Sequence, residues 1–432
     1  MKYLFLISLL LISVNSFAQQ LELNYSRMKY GFENQYLTAR SLGLAGAGVA
    51  GDDAYASVLI NPALAVYSES WLNMNTGISI YKLEEDRSYP YYDNFGGFLD
   101  YGSYVFNKYW YSQFYGVITS RLPFESLMGL SIATGFIPFQ SFDYDYLEEV
   151  RSGDYGDPLL GYNHLTSEGV LNAIPINLAF IPINGKLMDK QVTLAIGGGI
   201  KLLTGSVELN EKIEVKRAEY FDTVRQLKYE RELDNLPVIP QVGIQIKYGN
   251  RFSIGSSLRF PYDLEFKNKV YLANTSADTS MFVNQKLSYP MRLSLGTEYR
   301  FQNILEARIF TDFIYTFWED FEDSQKEDIS FDNTFNIRAG IEHIFFNKVP
   351  FRVGFDYGTL RESKDYSQAL LSAGTGFILN NVKVDMAVGI SSLTYRQQDM
   401  YPNENFGYEN ATDADQVQWN HLYARIDVNY AF

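Results

Sequence analysis

Along most of the chain, apolar and polar residues alternate with a period of two. At the C-terminus Leu422, Ala424, Ile426, Val428, Tyr430 and Phe432 share one face, while Tyr423, Arg425, Asp427, Asn429 and Ala431 share the other. Successive side chains of a strand point to opposite faces, so such a run is a strand with one apolar and one polar face. Its length of about eleven residues is what a tilted strand needs to cross a bilayer. The period returns in Val382 to Ile390, Phe351 to Tyr357, Phe335 to Glu342, Leu305 to Phe313 and Met291 to Arg300.

A strand placed wherever the alternation holds predicts about fourteen: 70–82, 109–121, 126–140, 168–182, 190–206, 237–248, 252–267, 284–300, 303–319, 333–345, 350–361, 367–379, 382–396 and 418–432. An even number closes an antiparallel barrel with both termini on one side. The connections sort in the same way. Those after odd strands are long and polar (Glu84 to Lys108, Ser141 to Ser167, Val207 to Asn235, Gln397 to Trp419), and those after even strands are tight. Long loops on one rim and short turns on the other mark a transmembrane barrel rather than a soluble sandwich. The sequence therefore predicts an all-β, transmembrane antiparallel β-barrel over 70–432, with no second globular domain.

Composition and the first residues sharpen the picture. Lys2, the apolar run Tyr3 to Val14 and the small-residue site ending at Ala18 read as a signal peptide over 1–18. Aromatic residues are 16 % of the chain, with 34 Tyr and 31 Phe, which suits the aromatic girdles of a membrane barrel. A formal net charge of -15 argues against a nucleic-acid partner. The chain has no cysteine, and His164, His343 and His421 are far apart, so a thiolate or histidine metal site and a His-based catalytic dyad have little material. No cofactor, no metal and no enzymatic activity are expected; an outer-membrane phospholipase would need a serine with a positioned histidine, and no G-x-S-x-G occurs. Asp143, Asp145, Glu148 and Glu149 are expected to form a solvated acidic outer loop rather than a calcium site.

With the apolar face toward lipid, the polar face lines the lumen. It carries Arg292, Arg300, Arg338 and Arg352 among matching carboxylates, which suits a salt-bridge network; the same arginines are candidates for an anionic head group. Inward glycines (Gly129, Gly197, Gly199, Gly243, Gly255, Gly296, Gly340, Gly374, Gly376) leave room for something to pack on the wall. Fourteen strands enclose more space than wall side chains fill. Only the segment 19–69 is large enough to occupy it, as a plug or hatch.

That segment holds a run fitting the spacing of a dinucleotide loop, Gly46-Ala47-Gly48-Val49-Ala50-Gly51, without the preceding buried strand that such a loop needs. The pattern Ala39-Arg40, then the Gly/Ala run, then Asp52-Asp53-Ala54 and Asn61-Pro62-Ala63 instead resembles the N-terminal region of the FadL/TodX family of outer-membrane transporters. Pro290 to Phe301, Asp312 to Trp318 and Arg352 to Tyr357 look like that family's later strands. The resemblance implies a Gram-negative outer-membrane channel for long-chain fatty acids or other hydrophobic compounds, plugged by a hatch at Arg40, Gly46, Gly48, Asn61, Pro62 and Ala63. It also implies sideways release where the third strand kinks, here at Gly135 and Pro138, and a monomer in contact with outer-membrane lipid. The final strand ending in Phe432 resembles the signal read by the barrel-assembly machinery. The Asn-Pro-Ala element is also similar to PorV of the Bacteroidota type IX secretion system, so a barrel adaptor for protein secretion is the alternative function.

Overall fold

The computed structural model describes residues 23–93, 95–123, 129–152, 158–217, 220–274, 278–302, 306–326, 329–345, 348–401, 403–407 and 414–432; the signal-peptide residues 1–18 lie outside them. Fourteen antiparallel strands follow one another round a closed wall: β1 (Asn73–Tyr92), β2 (Phe98–Arg121), β3 (Ser131–Ser141), β4 (Val170–Leu187), β5 (Lys190–Thr204), β6 (Val238–Tyr248), β7 (Phe252–Arg259), β8 (Arg292–Arg300), β9 (Arg308–Thr316), β10 (Thr334–Ile344), β11 (Pro350–Thr359), β12 (Ser367–Leu379), β13 (Val382–Gln397) and β14 (Asp415–Ala431). Pairing of β1 with β14 joins the two ends of the sequence of strands. Every strand expected from the alternation is present.

The barrel is inside out. Ile390 is 58 % exposed and Phe351 46 %, whereas Arg352 is 1 % exposed and Glu342 1 %. A contiguous band of outward Ile, Val, Leu and Phe far exceeds the apolar patches that a water-soluble monomer presents, and it is what a hydrocarbon layer requires.

Tight turns close one rim. Met188 and Asp189 both take positive φ (50° and 61°) between β4 and β5, the paired left-handed geometry of a two-residue hairpin. On the other rim, the segments expected as long loops are mostly hairpins. Glu84 to Lys108 is the outer half of β1 and β2, closed by a turn at 93–97. Ser141 to Ser167 folds Tyr144–Arg151 against Leu159–Glu168, and Val207 to Asn235 folds Ser206–Arg217 against Tyr220–Leu233. With Tyr262–Asn274, Asp278–Tyr289 and Glu322–Asp323 these strands form a second, seven-stranded sheet standing above the wall. Between Gln397 and Trp419 the described residues hold one short helical turn, Asn403–Phe406, and the start of β14 at Asp415.

The misreading has a physical source. Val207, Leu209, Ile213 and Val215 alternate with charged or polar residues, and the charges pair across and along strands, as in Lys228 with Glu208 of the neighbouring strand (2.9 Å) and Glu230 of its own (3.1 Å). High polarity there reflects an outer face in water, not irregular backbone. The wall bends into the upper sheet at Gly169 (φ +152°) and Gly205 (φ +140°), conformations that side-chain-bearing residues avoid.

The segment 23–69 touches inward faces of strands on opposite sides of the wall, including β2, β4, β5, β6, β12 and β13, and thus lies within the barrel.

Candidate functional site

The lumenal segment is built from short, individually capped turns. Thr38 accepts from the Ser41 amide (3.0 Å) to start the helix Ala39–Gly43, and Asp53 accepts from Tyr55 (3.0 Å) to start Ala54–Val58. Asn61 accepts from Ala63 (3.1 Å) to start Pro62–Tyr67, with Pro62 in the first turn, where its missing N–H costs nothing. Asn61 is fully buried, and its amide also donates to Val49 O (2.8 Å) and, across to β6, to Ile244 O (3.2 Å). One side chain therefore caps a turn, ties two parts of the segment together and fastens them to the wall.

Close approach to the wall is possible because its inner surface carries glycine at the contact points. Gly197 and Gly243 sit opposite each other on β5 and β6, as do Gly255 and Gly296 on β7 and β8, and Gly340 and Gly354 on β10 and β11. A Cβ at Gly243 would overlap the Asn61 side chain; one at Gly255 would lie 2.9 Å from Ala50 Cα, and one at Gly296 would lie 2.7 Å from Val49 Cβ. A Cβ at Gly374 would lie 3.0 Å from Gly43 Cα. On β9 an acid replaces glycine: Asp312 accepts from the Gly48 (2.7 Å) and Val49 (3.0 Å) amides. Three expected inward glycines serve otherwise. Gly129 lies in the turn before β3 (φ +70°), beside Arg121, while Gly199 and Gly376 face the wall residues Asn177 and Asp385.

Ion pairs lock the same interface. Arg40 binds Glu342 of β10 through two nitrogens (3.1 and 3.0 Å) and Asp52 through one (2.9 Å). Asp52 also receives Arg300 (3.0 Å) and Arg308 (2.8 Å). Arg352 bridges Glu342 and Asp385, both at 2.7 Å. Arg338 binds Asp356 (3.0 Å) and reaches Gly46 O (3.4 Å). Glu33 takes Arg259 and Arg292, both at 2.7 Å. Burial alone would raise the Glu33 carboxyl, but the two guanidiniums override it and hold it at about 2. Burial is likewise outweighed at Asp52, which Arg40, Arg308 and Arg300 hold well below the usual carboxylate range. All four arginines singled out in the sequence are thus engaged with carboxylates, in the salt-bridge arrangement. Asp312, which the alternation places on the lumenal face, joins them in the site, as do Glu33 and Arg259; nothing in the local sequence of these last two marks them, because their partners come from distant parts of the chain.

The third strand departs from its neighbour. β2 pairs with β3 only from Arg121↔Ser131 to Gly116↔Phe136, although β2 continues outward to Phe98. Beyond Phe136, β3 turns to the lumenal segment: Phe32 and Glu33 pair with Ser141 and Gln140, and Asn34 bonds Phe139 O (2.7 Å) and Pro138 O (3.1 Å). The ladder to β4 slips at Pro138, which has no N–H to give it. Gly135 is the close-contact residue at the parting, since a Cβ there would lie 3.0 Å from Val117 Cα. Where the strands separate, a groove of about 780 Å³ opens beside Tyr109, Trp110, Asp143 and Glu168. Asp145 and Glu149 alternate with Glu148 along the neighbouring strand Tyr144–Arg151 rather than sharing a loop, and the described residues contain no acidic or histidine cluster of metal-binding geometry.

No family model matches the chain, and no curated protein sequence is significantly similar to it. Among solved structures it is similar to a Pseudomonas aeruginosa FadL homologue (TM-score 0.64, 11% identity, 93% of this chain and 99% of that one). It is also similar to the P. putida toluene transporter TodX (TM-score 0.60, 13% identity, 92% and 99%) and the Ralstonia pickettii toluene transporter TbuX (TM-score 0.56, 13% identity, 92% and 99%). At such identities these likenesses establish a shared barrel fold over nearly the whole of each chain.

Proposed function

We propose that this protein is an outer-membrane channel of the FadL/TodX type that takes up hydrophobic small molecules. The observation that carries the reading is the parting of β3 from β2 above Gly116↔Phe136, beside a lumen otherwise filled by the N-terminal segment. In this reading the segment obstructs straight passage and a molecule leaves where β3 parts from β2, beside the outward-facing Phe114 and Phe136. A hydrophobic molecule has every reason to leave there, since lipid rather than water lies outside. The fold shared with barrels described as toluene transporters agrees with this.

In this reading 19–69 is the hatch, fastened by Arg40, Gly46, Gly48, Asn61, Pro62 and Ala63, and Gly135 and Pro138 form the lateral opening. Arg292 lines the outer lumenal cavity together with Arg27 and Arg361 and is the arginine best placed to meet a ligand's polar end. Long-chain fatty acids and aromatic hydrocarbons are the ligand classes to compare. The test is uptake of labelled oleate and labelled toluene by cells with and without the protein. Slower uptake of either in the deleted strain is expected. Unchanged uptake of both, with secreted proteins accumulating in the periplasm, would replace the channel by the secretion-adaptor reading.

A further inference from the structure

Just inside the parted strands, a partly open cavity of about 60 Å³ lies between the N-terminal segment (Phe32, Asn34) and the wall, with Pro138 at its edge. Its lining is unusual in its unmet hydrogen bonds. Five of its side chains carry a buried polar atom with no partner among the described residues: Ser79 Oγ, Gln140 Oε1, Trp419 Nε1, His421 Nε2 and Arg425 Nε. Buried polar atoms are nearly always paired, so five around one small cavity call for a molecule that pairs them.

Their chemistry defines that molecule. Trp419 Nε1 and Arg425 Nε can only donate, and Gln140 Oε1 can only accept. The Gln140 oxygen is oriented by its own amide, which donates to Tyr30 O and Tyr289 Oη (2.8 Å). The Arg425 head is fixed by Leu37 O and Asn34 Oδ1 (3.0 Å), and His421 Nδ1 is taken by the Tyr423 hydroxyl (2.8 Å). The guest must therefore both accept and donate. A carboxylate offers no hydrogen to Gln140, and a bare hydrocarbon offers nothing to any of the five; a hydroxyl does both. Aromatic rings complete the walls: Trp419 stands edge-on to His421 with centroids 4.9 Å apart, and Tyr81 and Tyr423 are 6.4 Å apart. The volume suits a hydroxyl with a few attached carbons.

We propose that this cavity is a recognition subsite for the hydroxyl end of small hydroxylated aromatics of the phenol class, placed at the entrance to the lateral opening. It rests on the channel reading and adds selectivity to it: oxygenated aromatics are preferred over the parent hydrocarbons.

The test is calorimetric binding of 4-ethylphenol and of ethylbenzene to the detergent-purified full chain, alongside uptake of both by cells. The phenol should bind roughly threefold to tenfold tighter for each hydrogen bond gained. Trp419→Phe, which keeps a ring and loses the N–H, and Ser79→Ala should each narrow the gap, with barrel folding verified by heat-dependent gel mobility. Equal affinity in the native protein, or a gap unchanged in both variants, overturns the subsite, as does a crystal soaked with 4-ethylphenol that holds only water there. If cells take up both compounds without preference, the subsite falls and the channel stands; if loss of the protein changes uptake of neither, the channel reading itself falls.

Discussion

Arg40 of the N-terminal segment and Glu342 of β10 form a two-point ion pair, Nε to Oε2 at 3.1 Å and Nη2 to Oε1 at 3.0 Å. The pair joins residues 302 positions apart and is nearly shut off from solvent, Glu342 having 2 % of its side chain exposed. Glu342 is held from the other side by Arg352 and Arg40 by Asp52, so the contact is one link of a continuous network.

Removing Arg40 should therefore cost more than a surface pair. Arg40→Ala leaves Glu342 and Asp52 short of a partner inside the barrel, a loss of about 3 kcal/mol. The barrel wall keeps its ladders, so the cost falls on docking of the segment. In planar bilayers the variant should show larger and more frequent conductance steps than the native protein. Native-like conductance from a folded variant would mean that the glycine contacts hold the segment without the ion pairs.

The glycine contacts have their own test. Gly243→Val places a branched side chain where Asn61 now lies and should expel the Asn61-Pro62-Ala63 turn, again raising conductance. Gly198→Val, one residue from Gly197 on β5, puts a Cβ at ordinary contact distance, 3.9 Å from Gln241 O and Val242 Cγ1, and serves as the control. Equal behaviour of the two variants would sink the idea that bare backbone at Gly243 is needed for docking.

The wall was legible in the sequence because its two solvents differ so sharply. Val382, Val384, Met386 and Val388 face lipid and Asp385 faces the lumen, and that contrast alone fixed β13 to within one residue of 382–397. The outer hairpins were read as loops because of their charge, although Leu209, Ile213 and Val215 keep the period of two between Glu208 and Lys216, with only Glu211 interrupting the apolar face. Gly46 and Gly48 proved to be what their positive φ requires (+78° and +155°), turn residues rather than a phosphate cradle. Which arginine meets which carboxylate could not be read at all. Arg292 finds Glu33 and Arg300 finds Asp52 only because the chain folds back through its own barrel.

Pro138 is the better handle on the lateral opening. Gly135 already sits against the β2 backbone, so a larger residue there would break the existing ladder rather than seal the gap. Pro138→Val restores a backbone donor at the point where β3 slips against β4 and lowers the bias to bend. Hydrophobe uptake should drop severalfold while barrel stability is kept or improved. Undiminished uptake by a folded Pro138→Val barrel would move the exit elsewhere.

Glu148 in the upper sheet carries a pH dependence of opposite sign to that of Glu33 in the lumenal segment. Glu148, on Tyr144–Arg151, is buried and faces Asp399; burial first and the neighbouring acid second push its carboxyl up to about 7, against help from Asn163 (3.0 Å), the Tyr146 hydroxyl (3.2 Å) and Arg87. An unfolded glutamate titrates near 4.3. A raised folded value means that the protonated form is the one the fold prefers, so its stability contribution is complete below about pH 4 and is lost as pH rises through about 7. At Glu33 the depressed value means the reverse, with stability present above about 4 and lost as pH falls through about 2. Between pH 5 and 8, then, packing of the Tyr401 turn onto Tyr146 should loosen. Hydrogen exchange of residues 144–151, referenced at each pH to Glu148→Gln, should quicken in the native protein relative to the variant as pH rises. Parallel exchange in the two across that range would show that ionisation of Glu148 does not govern the outer packing.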